Sequence, residues 1–146
     1  MTVWRPSQSI QVKVIGVATF RGRLLAFEVY NDDGSVKGIR PLGGHVEFGE
    51  TREAALRREF MEELGVDIEI TSSWRMFENL YDHEGVVGHE IILSASIGLL
   101  DDSIYAKDRI VFSEDSGAES IARWYSVKEC KRGEIALFPD GLIDIL

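Results

Sequence analysis

The sequence holds a single cysteine, Cys130, so no disulfide can close within the chain, and nothing in its thiol content points to an oxidising compartment. Prolines number only three. No Pro- or Ser-rich linker, internal repeat or low-complexity tract divides the chain, and one domain over residues 1–146 is expected. No apolar run approaches the ~20 residues needed to cross a bilayer. The opening segment, Met1-Thr2-Val3-Trp4-Arg5-Pro6, lacks the apolar stretch of a secretory signal. A cytoplasmic location without membrane contact is the resulting expectation. Basic residues are also short: 16 Lys and Arg against 25 Asp and Glu give a net charge of −9. Nucleic-acid binding usually requires a clustered basic face, and none is visible. An acidic chain can still engage phosphates if metal ions stand between the two sets of negative charge.

What is present is an ordinary globular composition, 45% hydrophobic and 28% charged. Gln11 to Phe20 alternates as a strand, Arg21-Gly22 marks a tight turn, and Arg23 to Tyr30 reads as the returning strand. Asn31-Asp32-Asp33-Gly34 is a second turn, and Gly43-Gly44 breaks the chain again. Thr51 reads as the N-cap of a helix over Arg52 to Leu64, with Leu56, Phe60 and Leu64 as its buried stripe and Gly65 as its C-cap. Further strands are expected over Ile68 to Phe77, Glu90 to Ile97 and Ile121 to Tyr125. A short helix is expected over Val127 to Lys131, and a last one, opened by Pro139, over Asp140 to Leu146. Strands on both sides of one strong helix predict a layered α/β/α fold with a mixed sheet.

The helix carries too many carboxylates for its own good. Glu59, Glu62 and Glu63 stand at i, i+3 and i+4, so all three reach toward one region of space. Each like-charged pair at that spacing costs a few tenths of a kcal/mol. A divalent cation reverses the sign of this effect, and magnesium favours a few carboxylates, several waters and substrate phosphates. Three glutamates alone would read as a solvated acidic face offset by Arg57 and Arg58. The wider spacing overturns that reading. Gly44 is followed by Glu50, and then by Arg58-Glu59-Phe60-Met61-Glu62-Glu63-Leu64-Gly65-Val66. A chance match of these seven identities and two apolar positions is roughly one in a billion per starting point.

This segment, Gly44 to Val66, resembles the Nudix box, G-x5-E-x7-R-E-U-x-E-E-x-G-U, at every position. The resemblance implies a Nudix-type α/β/α sandwich and hydrolysis of a pyrophosphate linkage in a nucleoside diphosphate derivative. Mg2+, or alternatively Mn2+, is the implied cofactor. Nucleoside triphosphates including oxidised ones, nucleotide sugars, ADP-ribose and dinucleoside polyphosphates are the implied substrates, and a homodimer is a frequent assembly. It implies that Glu59 and Glu63 are the principal metal ligands, and that Glu62 is a further ligand or orients the attacking water. Arg58 and Glu50 then form a pair that holds those ligands in place. The backbone carbonyl of Gly43 is a further candidate ligand. The glycines entering the box stand as Pro41-Leu42-Gly43-Gly44, one residue apart from the commoner P-G-G. Arg40 to Gly44 and Gly88-His89-Glu90 are similar to a bacterial subgroup of mixed substrates.

Outside the box the signals are weaker. The resemblance implies a further acidic residue on a distal loop before a tryptophan-containing strand, for which Glu114, Asp115 and Glu119, upstream of Trp124, are the candidates, although each separately reads as a solvated loop residue. Tyr81, Phe27, Arg40 and Glu119 are the candidate substrate contacts. Phe27, Tyr30, Phe77 and Tyr81 are aromatics flanking the box, and most strand aromatics are core. By the resemblance, a tyrosine at about the position of Tyr81 goes with dinucleoside polyphosphates. His83 and His89 read as solvated loop histidines. Glu90, if it points inward, needs a partner or a metal. Cys130 reads as an unreactive thiol. No second polar motif for a base edge is apparent, so the base is expected to be read loosely, by stacking. The alternative to an enzyme is a sensor of the same fold that binds a nucleotide without cutting it, and the intact set of glutamates favours the enzyme.

Overall fold

The computed structural model describes residues 3–114 and 116–146. Its one long helix, α1 (Arg52–Leu64), forms where the sequence places it. Thr51 is extended, and its hydroxyl accepts the Ala54 N–H at 3.1 Å, a cap worth about 1 kcal/mol. Gly65 takes φ 68° and donates its N–H to the Met61 carbonyl at 3.0 Å. The buried face is Ala55, Leu56, Glu59 and Phe60, so one of the glutamates lies inside the apolar stripe.

Five strands form a mixed first sheet. These are β1 (Ile10–Val17), β5 (Gly43–His45), β6 (Ile68–Ile70), β7 (Arg75–His83) and β8 (Val86–Leu99), in the order β5-β1-β8-β6 with β7 paired to β8. β1 and β8 run parallel, and the other pairs are antiparallel. The second sheet is antiparallel: β2 (Thr19–Phe20), β3 (Arg23–Tyr30), β10 (Glu119–Ser126) and β9 (Ile110–Ser113), with β4 (Val36–Pro41) on the other side of β3. Two short helices, α2 (Asp102–Tyr105) and α3 (Val127–Lys131), and a 3-10 turn (Leu142–Ile145) complete the described residues.

Strand alternation sorts side chains into two cores. Val14 and Leu25 pack with Leu56 and Phe60 of α1, while Ile15, Leu24 and Ala26 pack with Cys130 of α3 and Leu142 of the 3-10 turn. The result is the expected α/β/α layering. β1 passes close beneath α1, because a Cβ at Gly16 would meet the Phe60 ring at 2.8 Å. No helix of the described residues is long and apolar enough to cross a membrane.

Several expected elements differ. The strand over Gln11 to Phe20 breaks at Ala18, whose carbonyl accepts the Leu25 N–H at 2.9 Å as the chain turns into the second sheet. The strand over Ile68 to Phe77 is two strands, β6 and β7, joined through Thr71 to Trp74. Gly43-Gly44 is strand rather than a break. A Cβ at Gly43 would collide with the Val14 carbonyl, so glycine is what lets β5 lie against β1. The terminal helix shrinks to the 3-10 turn, because Gly141 adopts φ 93° and interrupts a helix running from Asp140. Strands β4 and β9 carry no clear sequence signal.

Candidate active site

Arg58 organises the carboxylates around α1. Its Nε donates to Glu50 Oε2 at 2.7 Å and its Nη2 to Glu50 Oε1 at 2.9 Å, a two-pronged fork. Nη1 reaches Glu59 Oε1 at 2.9 Å and Glu62 Oε2 at 3.3 Å, and Nη2 also reaches the His45 carbonyl at 3.0 Å. Glu50 additionally accepts the Glu47 N–H at 2.9 Å. The Arg58 fork and that backbone N–H hold the Glu50 carboxyl down at about 2. Bonded to Glu50 and Glu59, the guanidinium is raised above its already high ordinary value.

Glu59 is only 1% exposed. Its carboxylate occupies the space where a side chain on residue 44 would be, since a Cβ at Gly44 would collide with it. The glycine of β5 is thus a cradle for the glutamate of α1. Glu62 stands outward on the next turn and Glu63 is half-buried. Among the described residues, no three carboxylate, imidazole or thiol side chains stand close enough together to enclose an ion unaided. The donor set nonetheless suits a hard cation. Its side-chain donors are carboxylate oxygens, one of them pre-positioned by Gly44 and Arg58, and magnesium ordinarily completes its shell with water and substrate oxygen.

A second cluster adjoins this one through the β1–β5 pairing. Lys13 faces His45 in register, and its Nζ lies 2.5 Å from Glu90 Oε2. Glu90, 2% exposed, also accepts Asn79 Nδ2 on Oε1 at 3.1 Å. Burial pushes the Glu90 carboxyl upward, but Arg40 and Lys13 outweigh it and hold it below the usual carboxylate range. Burial and the neighbouring Arg40 pull the Lys13 ammonium below its ordinary value, against the attraction of Glu90 and Glu114.

Arg40, Asn79 and Glu90 border a cavity of about 290 Å3 whose wall also includes Lys37, Tyr81 and Phe138. Tyr81 is fixed there by its cross-strand partner Gly88, where a Cβ would collide with the ring.

The structure therefore gathers Glu50, Arg58, Glu59 and Glu62 into one network, and Arg40, Tyr81 and Glu90 into the neighbouring cavity. Phe27 is elsewhere: it packs edge-on against Phe112, centroids 5.5 Å apart, in the core beneath α1. Glu119 begins β10 opposite Ser113 and is exposed. Glu114 closes the β9–β10 hairpin within the field of Lys13, and Asp115 lies outside the described residues. His83 is buried, not solvated; it meets Trp4 edge-on at 5.2 Å, with Lys37 Nζ 3.3 Å from its Nδ1. Cys130 is buried, which pushes its thiol up. Lys13 and Asn79 are among the polar residues that carry no motif in the sequence. Their signal is parity, because Gln11, Lys13 and Ile15 share one face of β1 and two of them are polar on an inward face.

The family model for the NUDIX domain matches residues 10–144. No curated protein sequence matches the chain. Among solved structures, a NUDIX hydrolase from Nitrosomonas europaea superposes with a TM-score of 0.60 at 19% identity, covering 93% of this chain and 85% of that one. A MutT NUDIX hydrolase from Burkholderia pseudomallei gives 0.56 at 18% identity, covering 83% and 86%. The E. coli ORF135 protein gives 0.52 at 19% identity, covering 89% and 81%. At these identities the likeness is one of fold.

Proposed function

The chain belongs to the Nudix family and is a pyrophosphohydrolase, and we propose that it cuts the diphosphate linkage of a nucleoside diphosphate derivative with magnesium. The observation that carries this reading is the Arg58 network. One guanidinium is shared by Glu50, Glu59 and Glu62 about β5, so a single positive charge faces three carboxylates and the cluster keeps a negative excess that a cation would neutralise.

In this reading Glu59 and Glu63, one helical turn apart, hold the ion, with backbone oxygen near Gly43 as a further donor. A divalent cation there supplies charge neutralisation and Lewis acidity toward the diphosphate oxygens. Arg58 and Glu50 fix the glutamates so that no reorganisation is needed when substrate arrives. Glu62, half-exposed and held to Arg58 only through a 3.3 Å contact, takes the proton of the attacking water. The nucleoside end enters the cavity beside Arg40 and Tyr81. At about 290 Å3 that cavity suits one nucleoside and leaves the second half of any larger substrate outside. A cytoplasmic, single-domain enzyme, free or as a homodimer, is consistent with this reading.

The test is a panel of nucleoside triphosphates, nucleotide sugars, ADP-ribose and dinucleoside polyphosphates incubated with magnesium, with products separated by anion exchange. Release of a nucleoside monophosphate from at least one compound supports the reading. Retention of every compound intact, by folded protein, contradicts it.

A further inference from the structure

One side chain of the cavity wall, Asn79, has its amide orientation fixed by a charged neighbour. The Glu90 carboxylate can only accept hydrogen bonds, and the Lys13 ammonium beside it can only donate. Asn79 must therefore turn its amide nitrogen toward Glu90, as the 3.1 Å bond shows. That choice fixes the other end of the amide. Asn79 Oδ1 is left as an acceptor on a residue that lines the cavity, and it takes no hydrogen bond from a described residue. Arg40 borders the same cavity, and its guanidinium makes no hydrogen bond or ion pair among the described residues. Tyr81 and Phe138 supply aromatic surface against which a flat ring can lie.

We infer that Asn79, oriented by the Lys13–Glu90 pair, selects a base with a ring N–H beside a carbonyl oxygen, the N–H going to Asn79 Oδ1 and the carbonyl to Arg40. Guanine, hypoxanthine and uracil carry such an edge. Adenine matches it less well: its exocyclic N–H can reach Asn79 Oδ1, but the ring nitrogen beside it offers one lone pair to the Arg40 guanidinium where a carbonyl oxygen offers two. Lys13 and Glu90 are positioning residues, since they act only by denying Asn79 the flipped orientation. The inference rests on the reading that the cavity takes the nucleoside, and it replaces the expectation of base-indifferent stacking with selection of about 10- to 100-fold.

Binding is measured by calorimetry with the guanosine and adenosine 5′-(α,β-methylene)diphosphates, in magnesium, so that no turnover is needed. The wild type should hold the guanosine compound about 10- to 100-fold more tightly. Asn79→Ala should bring the two within about threefold. Glu90→Gln, which can donate as well as accept, should also narrow the gap by freeing the amide to flip. Lys13→Met serves as a second probe of the relay if Glu90→Gln melts early. Equal affinities in the wild type, or full discrimination retained in Asn79→Ala, would overturn the inference while leaving hydrolysis to be judged by the substrate panel. Selective binding without any hydrolysis supports the inference and counts only against the enzymatic reading.

Discussion

Arg58 and Glu50 form a parallel two-bond fork across the loop that leads into α1, with donor–acceptor distances of 2.7 and 2.9 Å. Two parallel charge-assisted bonds fix the orientation of the guanidinium as well as its distance. The same guanidinium that grips Glu50 also touches two of the proposed catalytic glutamates, so a change at Glu50 is felt at Glu59 and Glu62.

That fork has a pH signature. Glu50 is held at about 2, against an ordinary value of 4.5. Its folded value is depressed, so the stability it contributes is fully present above 4.5 and is lost as pH falls toward 2. The difference in melting temperature between the wild type and Glu50→Gln should be constant near neutrality and should close within that acidic window. A gap that persists unchanged at pH 2 would mean that the charge on Glu50 is not what the fork stabilises.

The two glycines entering the box should respond differently to a methyl group. Gly43→Ala drives a Cβ into the Val14 backbone carbonyl, which cannot move without parting β5 from β1. Gly44→Ala drives one into the Glu59 carboxylate, which can rotate away. Gly43→Ala should therefore lose stability by about 2 kcal/mol or more, in the range of overpacked sites. Gly44→Ala should lose turnover out of proportion to stability. Denaturant melts and kcat measured on the two variants side by side check this, and matching profiles would refute the cradle.

Much of this site was legible in the chain, and for a physical reason. The α1 signals are local: Thr51 and Gly65 cap within a few residues, and the apolar stripe and the glutamates share one period. The Lys13–Glu90–Asn79 cluster is not local. Its members lie on three strands, and only the parallel pairing of β1 with β8 and the β7–β8 hairpin bring them together. Phe27 illustrates the reverse failure. Its strand was placed correctly, but which face its ring covers depends on Phe112, on a strand with no sequence signal of its own. The terminal helix fails at Gly141, whose left-handed φ of 93° a helix interior does not take and a glycine permits without cost.

Metal should stabilise the fold. Glu59, Glu62 and Glu63 repel one another across one helix face, and an ion that binds only the folded state adds stability by mass action, about 2.7 kcal/mol at a hundredfold excess over Kd. For a chain of this size the melting temperature should rise by roughly 5 °C or more between EDTA and saturating magnesium. Identical curves in the two conditions would contradict a metal site on α1.

The most direct test is turnover of the best panel substrate by Glu59→Gln and Glu63→Gln at saturating magnesium, with folding checked by cooperative melting. An amide keeps the shape of a carboxylate and removes its charge. Both variants should stay folded and lose about 100-fold or more in kcat, at or beyond the loss typical of weakening a metal ligand's support. Near-wild-type kcat in both folded variants would show that these glutamates do not hold the catalytic ion, and the account of the site would fail.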